Sequence, residues 1–244
     1  MFCDACQIGK MHKLPFARLN ISAKTPLELV YSDIWGPSPI ISTEGFRYYI
    51  VFIYAYSWFS WCFPLKLKSK ALQTFLLFKK SVEVQLGAVI KCLQTDMGGE
   101  YLSFIKPLAF LGIKLQFSCP YMHQQNGVPE RKHRHIAELG LTLLSHAFMP
   151  IKFWCEAFLT ATFINNNLPS SVLKFMSPFE KLFHKKPSYN FFKTFGCTCF
   201  PYLRYHSKHK LDFHSHKCLF IGYSPCHKGY KCLSPNGKVS SLVM

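Results

Sequence analysis

Acidic residues are scarce in this chain: 12 Asp and Glu stand against 29 Lys and Arg, a formal charge of +17. That balance favours a polyanionic partner, nucleic acid first, over acidic small substrates. Long uncharged apolar runs are missing too. The most apolar stretch, FRYYIVFIYAYSWFSWCF, carries Arg47 and is followed by Pro64, so it reads as two buried strands and no membrane partner is expected. The opening MFCDACQIGKMHKLPF lacks the apolar core of a secretion signal, which points to an intracellular protein that is not secreted. Cysteines number 11, an odd count without paired spacing, so reduced thiols are expected in place of a disulfide framework. Internal repeats and low-complexity tracts are absent. What is present is apolar and aromatic: 49% and 16% of 244 residues exclude a disordered chain and suit one domain plus a smaller module.

The pattern along the chain is that of an α/β unit. Strands are expected at 27–35, at Phe46–Tyr54 with apolar residues on both faces, and at Trp58–Leu65. A helix over 68–86 precedes a strand over Val89–Gln94, a short helix over 101–111 and a strand over Ile113–Phe117. After the Asn126-Gly127 turn, Pro129 fits the first position of a helix that runs to about 146 with Ile136, Leu139 and Leu143 as its apolar stripe. Helices near 151–167 and 177–184 complete the unit. From residue 187 the texture changes to Gly, Pro, Cys and short strand-like runs, a small all-β module. Residues 181–244 hold 11 Lys and Arg against the single acid Asp212, most of the net charge.

Against this basic background three acids stand out. Asp33 in VYSDIWGP and Asp96 in LQTDMGGEY each emerge from an apolar run, as at the exposed end of a strand, and Glu130 opens the helix of HQQNGVPERKHRHIAEL. Carboxylates so placed can converge on a hard divalent cation through oxygen. Glu130 also has a structural explanation: an acid in the first turn complements the helix dipole, and Arg134 lies one turn on.

The runs TDMGGEY, CPYMHQQNGVPERKHRHI, FWCEAFLTATFINNNLPS and SPFEKLFHKKPSYNFFKTFGC together resemble the integrase of Copia-type LTR retrotransposons, over nearly the whole chain. CDACQIGKMHKLPF is similar to the second half of that family's zinc-binding module, and HKCLFIGYSPCHKGYKCL to its small SH3-like barrel. The resemblance implies a remnant zinc module over 1–20, a ribonuclease H-like catalytic core with a mixed sheet flanked by helices over 24–186, and an SH3-like β module over 187–244. It implies a catalytic triad of Asp33, Asp96 and Glu130 holding two Mg²⁺ or Mn²⁺ ions about 4 Å apart, with Asp33 bridging them. The activity implied is metal-dependent 3′-end processing and strand transfer in DNA integration, in the nucleus. Partners would be element and target DNA and further copies of the chain. The other reading is a catalytically decayed nucleic-acid-binding remnant of the same fold.

Arg131, Lys132 and Arg134 are the expected DNA contacts beside the metals, Gln124, Gln125 and Asn126 either bond the sugar-phosphate backbone or cap their own loop, and His123 is able to touch substrate. Gly98 and Gly99 permit a tight turn or a close approach of DNA, and Trp154 reads as core. Cys3 and Cys6 have zinc-site spacing, but the resemblance places the completing His pair upstream of this chain, His12 does not match it, and zinc is not expected. The set Cys197, Cys199, His206, His209, His214, His216 and Cys218 fits no standard zinc spacing. Several positions depart from the family pattern and suggest an impaired copy: Tyr54, Ala55 and Trp58 replace polar residues, Met97 replaces Asn, and the 33-residue spacer between Asp96 and Glu130 is short.

Overall fold

The computed structural model describes residues 27–118, 126–202, 213–224, 229–237 and 239–243. Strands β1 (Val30–Trp35), β2 (Tyr48–Tyr54) and β3 (Ser60–Leu65) form an antiparallel meander, and β4 (Cys92–Thr95) and β5 (Lys114–Phe117) run parallel to β1, giving the order β3-β2-β1-β4-β5. The period-two alternation expected of β1 and β2 sorts their side chains onto two faces. Val30, Ile34, Ile50, Phe52 and Tyr54 pack against Phe75, Phe78 and Val82 of helix α1 (Ala71–Leu86) and against Tyr101, Phe104 and Leu108. The last of these lies in the short helix α2 (Ile105–Phe110). On the other face Tyr31, Tyr49, Val51 and Ile53 pack against helices α3 (Gly127–His146) and α4 (Trp154–Asn167). Helix α5 (Pro178–Phe183) follows, with Pro178 in its first turn and the Ser177 hydroxyl accepting from Glu180 N–H at 3.0 Å.

Several boundaries differ from expectation for local reasons. The first strand begins at Val30 because Leu27, at φ +53°, turns into the core, where its N–H is accepted by the Tyr54 hydroxyl at 2.8 Å. The helix expected at 101–111 is a 3₁₀ turn, Gly99–Phe104, running into α2, whose first turn tolerates Pro107. The buried stripe of α3 is Pro129, His133, Ile136, Gly140 and Leu144, with Leu139 and Leu143 only half-buried. The helix is turned by its crossing with α4, where a Cβ on Gly140 would overlap the Phe158 ring. Hydropathy cannot select a glycine or a histidine as the buried residue.

The remaining strands, β6 (Thr198–Cys199), β7 (Cys218–Tyr223), β8 (Gly229–Leu233) and β9 (Val239–Val243), form an antiparallel sheet in sequence order. This sheet rests directly on α4. Ile221 is fully buried in the same apolar cluster as Trp154 and Phe158, and Gly222, at φ +139°, faces Thr160 so closely that a Cβ would lie 2.7 Å from its Oγ1. Tyr223 stacks on Phe163 with centroids 3.9 Å apart. Helix α4 is therefore buried on nearly all sides, as its continuous run of buried residues requires.

Candidate active site

The site is built on neighbouring parallel strands. Strand β1 pairs Tyr31 with Gln94 of β4, and two residues further along each chain stand Asp33 and Asp96, close enough for the charge of Asp33 to act on the Asp96 carboxyl. The Asp33 side chain points to the face covered by α3, because Tyr31 and Asp33 share a face of β1. Asp33 lies inside β1, opposite Val51, and not at the strand end expected of it, whereas Asp96 follows the last residue of β4. The strands part beyond Tyr31 and Gln94, which leaves room between them for both carboxylates to be half-buried without being sealed off.

Each carboxylate is held by its own turn. Asp33 Oδ1 accepts from Ile34 N–H at 2.8 Å, and Asp96 Oδ1 accepts from Gly98 N–H at 3.2 Å. Burial, and then the negative charge of Asp33, push the Asp96 carboxyl above its ordinary value, against the opposing Gly98 N–H. A further acid lies close by: Glu100 Oε1 is paired with Lys68 Nζ at 2.9 Å. A Cβ at Gly98 would come within 3.0 Å of Glu100 Cδ and 3.1 Å of Asp96 Oδ1, so glycine here leaves room for two carboxylates to flank the turn. Nothing comparable constrains Gly99.

The raised Asp96 carboxyl has a stability consequence. The folded protein holds this proton more tightly than the unfolded chain, so the group's stabilising contribution is complete below the ordinary value of 3.8 and disappears as pH rises through the folded value. At neutral pH the ionised pair is a source of repulsion. Asp96→Asn is accordingly expected to raise the melting temperature of the metal-free protein at pH 7 and to leave it nearly unchanged at pH 3.5. A lower melting temperature at pH 7 would show that the Gly98 hydrogen bond outweighs the repulsion.

Glu130 occupies the first turn of α3, exposed, its N–H accepted by Asn126 O at 3.3 Å. Among the described residues it makes no ion pair with Arg134, and no three His, Cys, Asp or Glu side chains are gathered closely enough to hold a metal. Its place is fixed relative to Asp33 through His133, three residues on and so on an adjacent flank of the helix. The buried His133 ring sets Nε2 at 3.4 Å from Asp33 Oδ2 and Nδ1 at 3.1 Å from the Tyr49 hydroxyl. Tyr49 is packed against Trp35, Trp154 and Phe158. The half-buried carboxylates of Asp33 and Asp96 are hard oxygen donors of the kind that divalent magnesium takes, while the exposed Glu130 is not gathered with them among the described residues.

The expected DNA contacts divide. Arg131 and Arg134 are exposed and Asn126 is half-buried at the N-cap, whereas Gln124, Gln125 and His123 lie outside the described residues. Lys132 turns inward, its Nζ donating to Trp58 O at 3.4 Å, and burial lowers it to about 8. As placed, Lys132 braces the turn after β2 and does not join Arg131 and Arg134 at the surface. Trp154 is core, as expected, 2% exposed and donating from Nε1 to Ile40 O at 2.9 Å. Tyr54 and Ala55 are also packed into the core, near the start of β1 and away from Asp33, and Met97 is exposed.

Cys3, Cys6 and His12 lie outside the described residues, as do His206 and His209. Cys199 and Cys218, with Cys197 just ahead of β6, share the second sheet with a partner not foreseen, Cys232, whose Sγ lies 3.4 Å from Cys199 Sγ and whose thiol is pushed up to about 12 by burial and by Cys199. His214 and His216 are exposed. The sequence also gave no sign of the roles of His133, Tyr49, Lys68 and Glu100.

Comparison with known proteins decides the family. The chain is 44% identical over 238 residues to the "Retrovirus-related Pol polyprotein from transposon RE2" of Arabidopsis thaliana, covering 97% of this chain and 16% of that protein. It is 37% identical over 235 residues to the corresponding polyprotein from transposon TNT 1-94 of Nicotiana tabacum, covering 96% of this chain and 18% of that one. The chain belongs to the Copia-type retrotransposon Pol family. It spans about a sixth of the length of these relatives. Residues 197–241 match the retroviral polymerase SH3-like domain. A chain of the simian T-cell lymphotropic virus intasome, solved by cryo-EM in complex with the PP2A regulatory subunit B56 gamma, superposes with a TM-score of 0.58 at 17% identity, over 99% of this chain and 84% of that one. The ribonuclease H-like mixed sheet with its helices, followed by a small SH3-like β unit, is thus the fold expected from the sequence.

Proposed function

We propose that this chain is the integrase segment of a Copia-type Pol polyprotein, a DNA nucleotidyltransferase that trims element ends and joins them to target DNA. The observation that supports the reading is that Asp33 and Asp96 follow the paired part of neighbouring parallel strands, with His133 of the helix that carries Glu130 at 3.4 Å from Asp33. In this proposal Asp33, Asp96 and Glu130 hold Mg²⁺ or Mn²⁺. Such ions, when bound, activate water or a 3′-hydroxyl and neutralise charge on the phosphate under attack. The chain's own residues do the rest. Arg131 and Arg134 hold the DNA backbone beside the carboxylates, with Asn126 and the preceding Gln124 and Gln125 reaching sugar and phosphate. Joining two ends requires further copies of the chain, and the work belongs in the nucleus.

A second reading, a nucleic-acid-binding remnant without turnover, is favoured by one observation: Glu130 is not gathered with Asp33 and Asp96 into a three-ligand group among the described residues. An oligonucleotide carrying the element's terminal repeat separates the two. Integrase function predicts joining to a target duplex with Mg²⁺ or Mn²⁺ and none with a chelator. DNA binding without joining under either metal selects the remnant.

A further inference from the structure

We infer that His133 is a positioning residue for Asp33, fixed by Tyr49 in the tautomer that carries its proton on Nε2 and aimed at the carboxylate. The inference rests on the integrase reading only in making that carboxylate a metal ligand. It begins with a phenol. Tyr49 is 1% exposed, and a buried neutral hydroxyl must place its proton on an acceptor. Among the described residues its one hydrogen-bond partner is His133 Nδ1, at 3.1 Å. The hydroxyl therefore donates, Nδ1 accepts, and the ring proton sits on Nε2.

That Nε2 is buried and makes no hydrogen bond, yet it lies 3.4 Å from Asp33 Oδ2. An unpartnered buried N–H next to a carboxylate oxygen needs only a small rotation of the Asp33 side chain to bond. Asp33 Oδ1 is already tied to Ile34 N–H, so the second contact would leave the carboxylate a single orientation. It would also draw Oδ2 toward α3 and relieve the repulsion between Asp33 and Asp96. The support behind the histidine is stiff: Tyr49 stacks on Trp35 at 5.2 Å between centroids and meets Phe158 edge-on at 5.7 Å. Outer partners of this kind orient metal ligands and typically change metal affinity about 10- to 100-fold.

Two measurements on the full chain test this. ¹⁵N-histidine NMR of the metal-free protein should show His133 as the Nε2–H tautomer, assigned by its loss in His133→Ala, and as a tautomer mixture in Tyr49→Phe. Mn²⁺ titration followed by electron paramagnetic resonance should show binding weakened about tenfold in His133→Ala. His133→Gln, which offers an amide N–H near the place of Nε2, should recover most of it. If His133→Ala does not fold by thermal unfolding, Tyr49→Phe, which deletes one hydroxyl, carries both readouts. An Nδ1–H tautomer in the unaltered protein, or Mn²⁺ affinity within twofold in a folded variant, overturns the inference. Asp33→Asn in the same titration separates this from the function proposed above. Unchanged Mn²⁺ affinity there removes Asp33 as a ligand and sinks that function, while the tautomer still decides what His133 does to Asp33.

Discussion

Truncation after Lys186 is expected to destabilise the ribonuclease H-like part of the chain, not merely to remove a basic appendage. The reason is the position of α4, whose far side is covered by the second sheet. Removing that sheet takes Ile221 and Phe195 out of the cluster that contains Trp154 and Phe158, and strips Tyr223 from Phe163. Burial of one such side chain contributes about 1.5–3 kcal/mol, so three of them reach a large share of the roughly 5–15 kcal/mol that holds a domain folded. The shortened chain should aggregate, or melt at least about 10 °C below the full chain. A soluble truncated protein with an unchanged melting temperature would show that the two parts are energetically independent. For the same reason, weakened DNA binding by a truncated chain would not by itself identify the second sheet as a DNA contact. Replacing the exposed Lys193 and Lys217 with Gln probes that charge without uncovering α4.

How much of this was legible in the sequence follows from which forces act locally. The two-faced apolar run of β2 dictates a strand covered on both sides, and the helix after Asn126 was readable too, although it begins at Gly127, two residues before the expected Pro129, with Asn126 as its N-cap. Asp33, Asp96 and Glu130 were visible because acids are so few and two of them leave apolar runs. Tertiary packing decided the rest. His133 looked like one cation among five, and only the crossing of α3 over β1 shows it beside Asp33. Gly140 carries no hydropathy signal, yet the Phe158 ring fixes how α3 is turned. The inward path of Lys132 depends on a carbonyl 74 residues away in sequence. Cys232 joins Cys199 only because β6 and β8 flank the same strand.

Glu130→Gln is expected to reduce metal-dependent strand transfer by at least about a thousandfold while changing DNA affinity by less than about twofold. A metal ligand contributes several kcal/mol to the transition state, and each 1.4 kcal/mol is about a factor of ten in rate. The fold has little stake in this side chain: it is exposed, makes no ion pair with Arg134, and its helix-dipole contribution is about 0.3–1 kcal/mol. The amide keeps the shape and removes the charge. Phosphate contacts belong to the exposed Arg131 and Arg134 of the same helix, so the converse variant is informative. Replacing both arginines with Ala should weaken binding and lower the slope of log affinity against log salt by about 2, with bound complexes still reactive. Single-turnover joining with Mg²⁺ and Mn²⁺, together with DNA titrations across salt, measures all of these quantities on one set of proteins. If Glu130→Gln joined DNA at the unaltered rate, the third acid of the site would have to be sought elsewhere, and Glu100, held by Lys68 beside Asp96, would be the first carboxylate to replace.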